Sequence, residues 1–213
     1  MSDVAYSEYL WIVVLGCLFA FGYAFLIGAN DVANAFASSV AAKSLTLTQA
    51  VIAASIFEFC GALFLGAAVT STIRSKIVDT DVYAAEPDVL MFGMFCAQMA
   101  ASSQLLLATH LGFPVSTTHD IIGAIMGFSI AAKGWDSIQW DVATSLFKSW
   151  ILSPLIAGTL GFIFFAFCRY AILESAHPLS RAFYLFPVVL TVGIGIDLFY
   201  TLCKSPSSTA WVC

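Results

Sequence analysis

Two polar clusters stand inside otherwise apolar sequence, and their residue types suit the handling of an anion together with a cation. The first is Gly28-Ala29-Asn30-Asp31-Val32-Ala33-Asn34-Ala35, which follows directly on the uncharged run Leu10–Ala29. The second is Pro114-Val115-Ser116-Thr117-Thr118-His119-Asp120. Hydroxyl and backbone N–H groups donate to oxyanions, while carboxylate, amide and hydroxyl oxygens suit hard cations. Thr117 and Asp120 fit the Ser/Thr-x-x-Asp/Glu capping pattern, which predicts a helix over Ile121–Ala132 with Pro114 breaking the chain before it. A helix start exposes unpaired N–H groups and about half a positive charge, a ready-made anion site. In the first cluster Gly28 can end one helix and Asn30 or Asp31 can cap the next. Alanines at 29, 33, 37 and 41 carry a helical register through it, so the expectation is a helix that is locally unwound or broken there.

The sign of the charge matters. A carboxylate beside an anion is repulsive unless a cation sits between them, so Asp31 near an anion site implies cation coupling. Sodium suits Asp31, Asn30, Asn34 and threonine hydroxyls such as Thr117; a proton on an acid of raised pKa would serve as well. Glu58 falls near the middle of the second apolar run. A carboxylate there must face the bundle interior, be protonated or be paired, so it is a candidate for coupling or gating and otherwise a buried hydrogen-bonding group. His119 reads equally as a packing histidine or a proton acceptor. Gln98 and Gln104 read as interhelical hydrogen-bonding groups, and Asp197 as either functional or laterally paired.

The elements that position these residues are set by composition. Of 213 residues, 61% are hydrophobic and 10% charged, with mean hydropathy +0.94; soluble domains carry roughly 25% charge. The fold class is an all-α polytopic transmembrane helical bundle. Six apolar runs are candidate spans: roughly 10–29, 46–70, 89–109, 115–132, 143–170 and 183–203. The fourth is weak and reads as a re-entrant or broken element. Net charge is -5, with Asp79, Asp81, Glu86 and Asp88 forming a solvated loop, and nothing suggests a nucleic-acid surface. Cys17, Cys60, Cys96, Cys168, Cys203 and Cys213 read as small hydrophobes, with no Cys-x-x-Cys pair. Lys43 favours an outside N-terminus, while Arg74 and Lys76 oppose it. The alanine register and Gly123-x-x-x-Gly127 predict close helix packing.

With these residues in hand, the chain resembles the inorganic phosphate transporter (PiT) family of cation–phosphate symporters. The resemblance is carried by Gly28–Phe36 with Leu45–Ala50 and Ala54–Glu58, by Pro114–His119 with Ile122–Ala124, and by Ser149-Trp150 with Ser153–Leu155. It implies secondary active transport of inorganic phosphate coupled to sodium or protons. It further implies phosphate binding by Asn30, Asp31, Asn34, Ser116, Thr117 and Thr118. Cation coupling would fall to Asp31, Asn34, Glu58 and His119, with sodium at Asp31, Asn30 and Thr117. Asp120 departs from the family pattern, adding negative charge near the anion site. The family has two inverted repeats, and residues 1–213 supply one copy of each motif, so the chain reads as a single membrane domain resembling the N-terminal repeat.

The partners implied are phosphate, the lipid bilayer and either a second copy of the chain or a missing second repeat; no cofactor is expected, and the plasma membrane is the expected location. The close at Trp211-Val212-Cys213 after Ser205–Ser208 does not look like the natural end of a large transporter. Two competing readings are a sulfate or other oxyanion transporter and a half-length, non-transporting membrane subunit. A membrane hydrolase is disfavoured, because no His-Glu-x-x-His or Gly-x-Ser-x-Gly occurs.

Overall fold

The computed structural model describes residues 3–75 and 77–204; Lys76, Ser205–Ser208 and Cys213 lie outside the described residues. Helices follow one another in chain order: α1 (Asp3–Ala41), α2 (Leu47–Ser75), α3 (Pro87–His110), α4 (Thr117–Lys133), α5 (Trp140–Cys168) and α6 (Pro178–Lys204). Five are long and apolar enough to cross a membrane. The exception is α4, whose 17 residues reach about 25 Å, short of a hydrocarbon core of about 30 Å. The six expected spans are therefore five, and residues 115–132 form the short element. Among the described residues there is no strand, only an isolated antiparallel bridge between Val78 and Ile138.

The chain divides into two compact units, residues 1–142 and 143–213. In the first, α3 packs on both α1 and α4. Phe95 takes the edges of Trp11 and Phe19 from α1, and Ala97, Ala101, Leu105, Ile122 and Ile125 are buried. Gln98 donates from α3 to the Gly16 carbonyl of α1 at 3.3 Å, the interhelical bond expected of it. The α1–α2 turn is closed by Lys43 in the left-handed region (φ 57°). α2 then opens on a reciprocal capping box: Thr46 N–H donates to Gln49 Oε1 at 3.0 Å and Gln49 N–H to Thr46 Oγ1 at 3.3 Å.

α3 and α4 form an antiparallel hairpin locked at its open end. Gln139 N–H donates to the Ile77 carbonyl and Asp79 N–H to the Ser137 carbonyl, both at 3.0 Å. Ser137 Oγ donates to the Gly134 carbonyl at 2.7 Å and Ser129 Oγ donates to Ser137 Oγ at 2.9 Å. The Ser129 proton is thus committed, so Tyr83 is the donor in its 2.8 Å contact with Ser129. Lys133 joins Glu86 at 2.7 Å over this cluster. The C-terminal end of α4 is fixed, and its N-terminal end is left to the site. In the second unit α5 and α6 expose large apolar side chains almost throughout, with Phe162 and Phe183 both 72% exposed.

Two packing expectations change. α1 runs unbroken through Gly28–Asn34, because the alanine register outweighs a glycine that costs only about 1 kcal/mol in a helix. The close approach lies elsewhere than at Gly123 and Gly127, where an added Cβ meets nothing within 4 Å; at Gly93 it would meet Phe128 at 2.3 Å. Gly93→Ala should therefore lower the unfolding midpoint in detergent, with a cost of about 1–3 kcal/mol from overpacking. Gly123→Ala should be neutral or stabilising in the same assay. Equal midpoints for the two variants would show that Phe128 yields freely.

Candidate functional site

α3 has 24 residues and α4 has 17. The shortfall of about 10 Å is filled by the non-helical stretch 111–116, which turns at Gly112 (φ 71°). Phe113 N–H returns to the Ala108 carbonyl at 2.8 Å. Beyond Pro114, which has no N–H, the chain is extended into Ser116 and then coils into α4. This stretch lies against the polar cluster of α1, and side chains from α1 hold it.

Two adjacent residues of α1 make the join. Asn30 is 6% exposed; its Nδ2 donates to Thr109 Oγ1 at 3.2 Å and to the Phe113 carbonyl at 3.0 Å, and its Oδ1 accepts from Val115 N–H at 3.2 Å. Asp31 accepts at Oδ2 from Thr117 Oγ1 at 3.0 Å. Asn34, one turn on, donates from Nδ2 to Asn30 Oδ1 at 3.5 Å. Tyr23, two turns earlier, donates to the Thr117 carbonyl at 3.3 Å. The two motifs, more than 80 residues apart in sequence, thus form one polar site between α1 and the start of α4.

The cap differs from the capping box expected at Thr117. Ser116 is the N-cap, and its Oγ accepts from His119 N–H at 3.5 Å. The reason is competition: the Thr117 hydroxyl makes a charge-assisted bond to the Asp31 carboxylate, the stronger of the two choices. Asp120 does not complete a box either. Its Oδ2 is buried with no hydrogen-bond partner among the described residues, and the Tyr23 hydroxyl lies beside its carboxyl.

Asn30, Asp31, Asn34 and Thr117 are brought together. Ser116, Thr118 and His119 are exposed at the mouth of α4, where first-turn N–H groups and hydroxyls can meet an anion. Glu58 is not brought into this cluster: its side chain is exposed on α2. Counted along the helices from the α1–α2 turn, however, Asp31 lies ten residues before Ala41 and Glu58 eleven after Leu47. The two carboxylates are thus at comparable distances, about 15 Å, from the reversal. Sequence reasoning missed Tyr23 and Thr109, which sit in apolar runs with no motif around them; only the pairing of α1 with the hairpin reveals them.

A sequence model of the phosphate transporter family (PHO4) matches residues 27–212. The phosphate-repressible phosphate permease pho-4 of Neurospora crassa is 41% identical over 206 residues, covering 94% of this chain and 35% of that protein. The sodium-dependent phosphate transporter of Toxoplasma gondii is 42% identical, covering 91% of this chain and 23% of that protein. For the sodium-dependent phosphate transporter 1 of Rattus norvegicus the identity is 42%, over 89% of this chain and 28% of that protein. A solved structure described as the sodium-dependent phosphate transporter superimposes with TM-score 0.75 at 37% identity, over 80% of this chain and 42% of that one. The chain thus spans less than half the length of each of these relatives.

The Thr117–Asp31 bond can be tested without a transport assay. Thr117→Val should destabilise the first unit by about 1.5–3 kcal/mol, the net worth of a hydrogen bond to a charged group, and Thr117→Ser should retain most of it. Indistinguishable unfolding midpoints for the Val and wild-type chains would mean that the bond contributes nothing.

Proposed function

The chain belongs to the phosphate transporter family, and on that premise we propose that it forms one repeat of a secondary transporter that moves inorganic phosphate with sodium. The single observation that carries this reading is the Asp31–Thr117 contact: a carboxylate hydrogen-bonded to the first residue of a helix whose amino end is open. The start of α4 offers N–H groups and the hydroxyls of Ser116, Thr117 and Thr118 to a tetrahedral oxyanion. Asp31 would be repelled by that anion, and sodium between them, held by oxygens of Asp31, Asn34 and Thr117, removes the repulsion. Sodium in place of a proton is favoured by the relatives described as sodium-dependent.

Residues 1–213 act here as a single repeat, and a second repeat, whether from a second copy, another polypeptide or sequence outside residues 1–213, completes the transport path. The supporting observation is exposed polarity. Asn34 and Glu58 are exposed on helices of membrane-spanning character, and polar groups at that depth face protein or water and not lipid. Glu58 then serves coupling from across the completed site, with His119 at its rim. The plasma membrane is the location we assign.

Phosphate uptake into proteoliposomes holding the complete assembly tests this. Asp31→Asn should abolish sodium-driven uptake while the protein still inserts and assembles. Glu58→Gln should weaken the dependence on sodium. Uptake that survives replacement of sodium by choline and follows a proton gradient would overturn the choice of ion. Sulfate competing as well as unlabelled phosphate would overturn the choice of substrate, and assembly with no flux would favour a non-transporting subunit.

A further inference from the structure

Asn30 has no free hydrogen-bonding capacity. A side-chain amide offers two donor hydrogens and an oxygen with two lone pairs. The donors go to Thr109 Oγ1 and the Phe113 carbonyl, and the lone pairs to Val115 N–H and Asn34 Nδ2. With 6% of its surface exposed and three partners within 3.2 Å, it has little room for an anion or a cation. Three of its four bonds hold residues 109–115, and two of those satisfy backbone groups that the break before Pro114 strands. Without Asn30 the part-buried Phe113 carbonyl and Val115 N–H would lose these partners.

We propose that Asn30 is the positioning residue of the phosphate site, acting through the backbone of Phe113 and Val115 and touching neither transported ion. The inference rests on the reading that Ser116–Thr118 receive phosphate. Asn30 and Asp31 are consecutive on α1, and their partners Val115 and Thr117 are two apart at the entry to α4. The first rung sets the height of the hairpin, and the second then finds the Thr117 hydroxyl in reach of Asp31. Displacing α1 by one residue, about 1.5 Å and 100°, would break both. An amide is required because the partners alternate: an acceptor must meet Val115 and a donor must meet Phe113. Aspartate keeps the first and sets a second oxygen against the Phe113 carbonyl.

The experiment compares wild type with Asn30→Ala, Asn30→Asp and Thr109→Val, the last touching no proposed ligand. Amide hydrogen exchange of residues 111–116 is read in nanodiscs, and phosphate KM in proteoliposomes holding the complete assembly. Exchange of this stretch should rise about tenfold in Asn30→Ala, the scale set by losing one such hydrogen bond. KM should rise in parallel. Thr109→Val should shift both in the same direction by less, and adding it to Asn30→Ala should do little more, because both act through one loop. A role limited to global stability would lower the unfolding midpoint and leave KM of the folded fraction unchanged, which overturns the proposal. A direct ligand would raise KM with exchange unaltered and Thr109→Val silent, which also overturns it. If the wild-type assembly moves no phosphate, the transport reading fails by itself, and the exchange data still decide whether Asn30 holds the hairpin. Should Asn30→Ala not fold, Asn30→Asp and Thr109→Val provide the same comparison.

Discussion

The arrangement depends on one problem of backbone chemistry. A chain that breaks within a membrane-embedded bundle strands peptide groups that water cannot reach, each costing several kcal/mol unless paired. The break between α3 and α4 leaves the part-buried Phe113 carbonyl and Val115 N–H without helix partners, and a side chain of α1 supplies the missing donor and acceptor. α1 is able to do so because it is unbroken. Its own peptide groups are satisfied along the helix, so its amide side chain is free to serve the neighbouring element. The open amino end of α4, the feature with chemical use, is tolerable only because the stretch before it is held in this way.

That division also explains why the two motifs differ in form. The first is helical, with polar residues on a turn of an alanine-rich helix; the second is a loop followed by a helix start. One presents side chains and the other presents backbone. At the far end of the hairpin, the Tyr83–Ser129–Ser137 hydroxyls and the Val78–Ile138 bridge hold the opposite end of α4. A helix shorter than a bilayer is therefore anchored at both ends, to α1 by its entry stretch and to the loops by its exit.

The polytopic helical class was legible because apolar runs of spanning length leave few alternatives, and both motifs were legible because polar residues are costly where they stand. Details that depend on competition were not. The capping pattern pointed to Thr117, but a carboxylate 86 residues away claims that hydroxyl and leaves the cap to Ser116. Gly28 suggested a break that the alanine register overrode. Gly123 and Gly127 suggested close packing, whereas the glycine that a neighbour abuts is Gly93, isolated in sequence. Asn30 looked like a ligand because its type and company fit one. Only its four partners show that its capacity is filled, and partners are a property of the folded chain.

The charges around the proposed site bear on why two ions should travel together. Asp31 and Asp120 both lie near the amino end of α4, and the compensating field is the helix dipole, about half a charge. An incoming phosphate adds at least one further negative charge at neutral pH. In a low-dielectric surrounding that excess is far more costly than in water. On the proposed function, sodium beside Asp31 would cancel that carboxylate's charge and ease the binding of phosphate. By linkage, phosphate would then raise the affinity for sodium by the same factor. On that proposal each ion would bind better with the other present, which is the thermodynamic condition for symport. On that proposal, the carboxylates beside the anion site are what would tie the flux of one ion to the other.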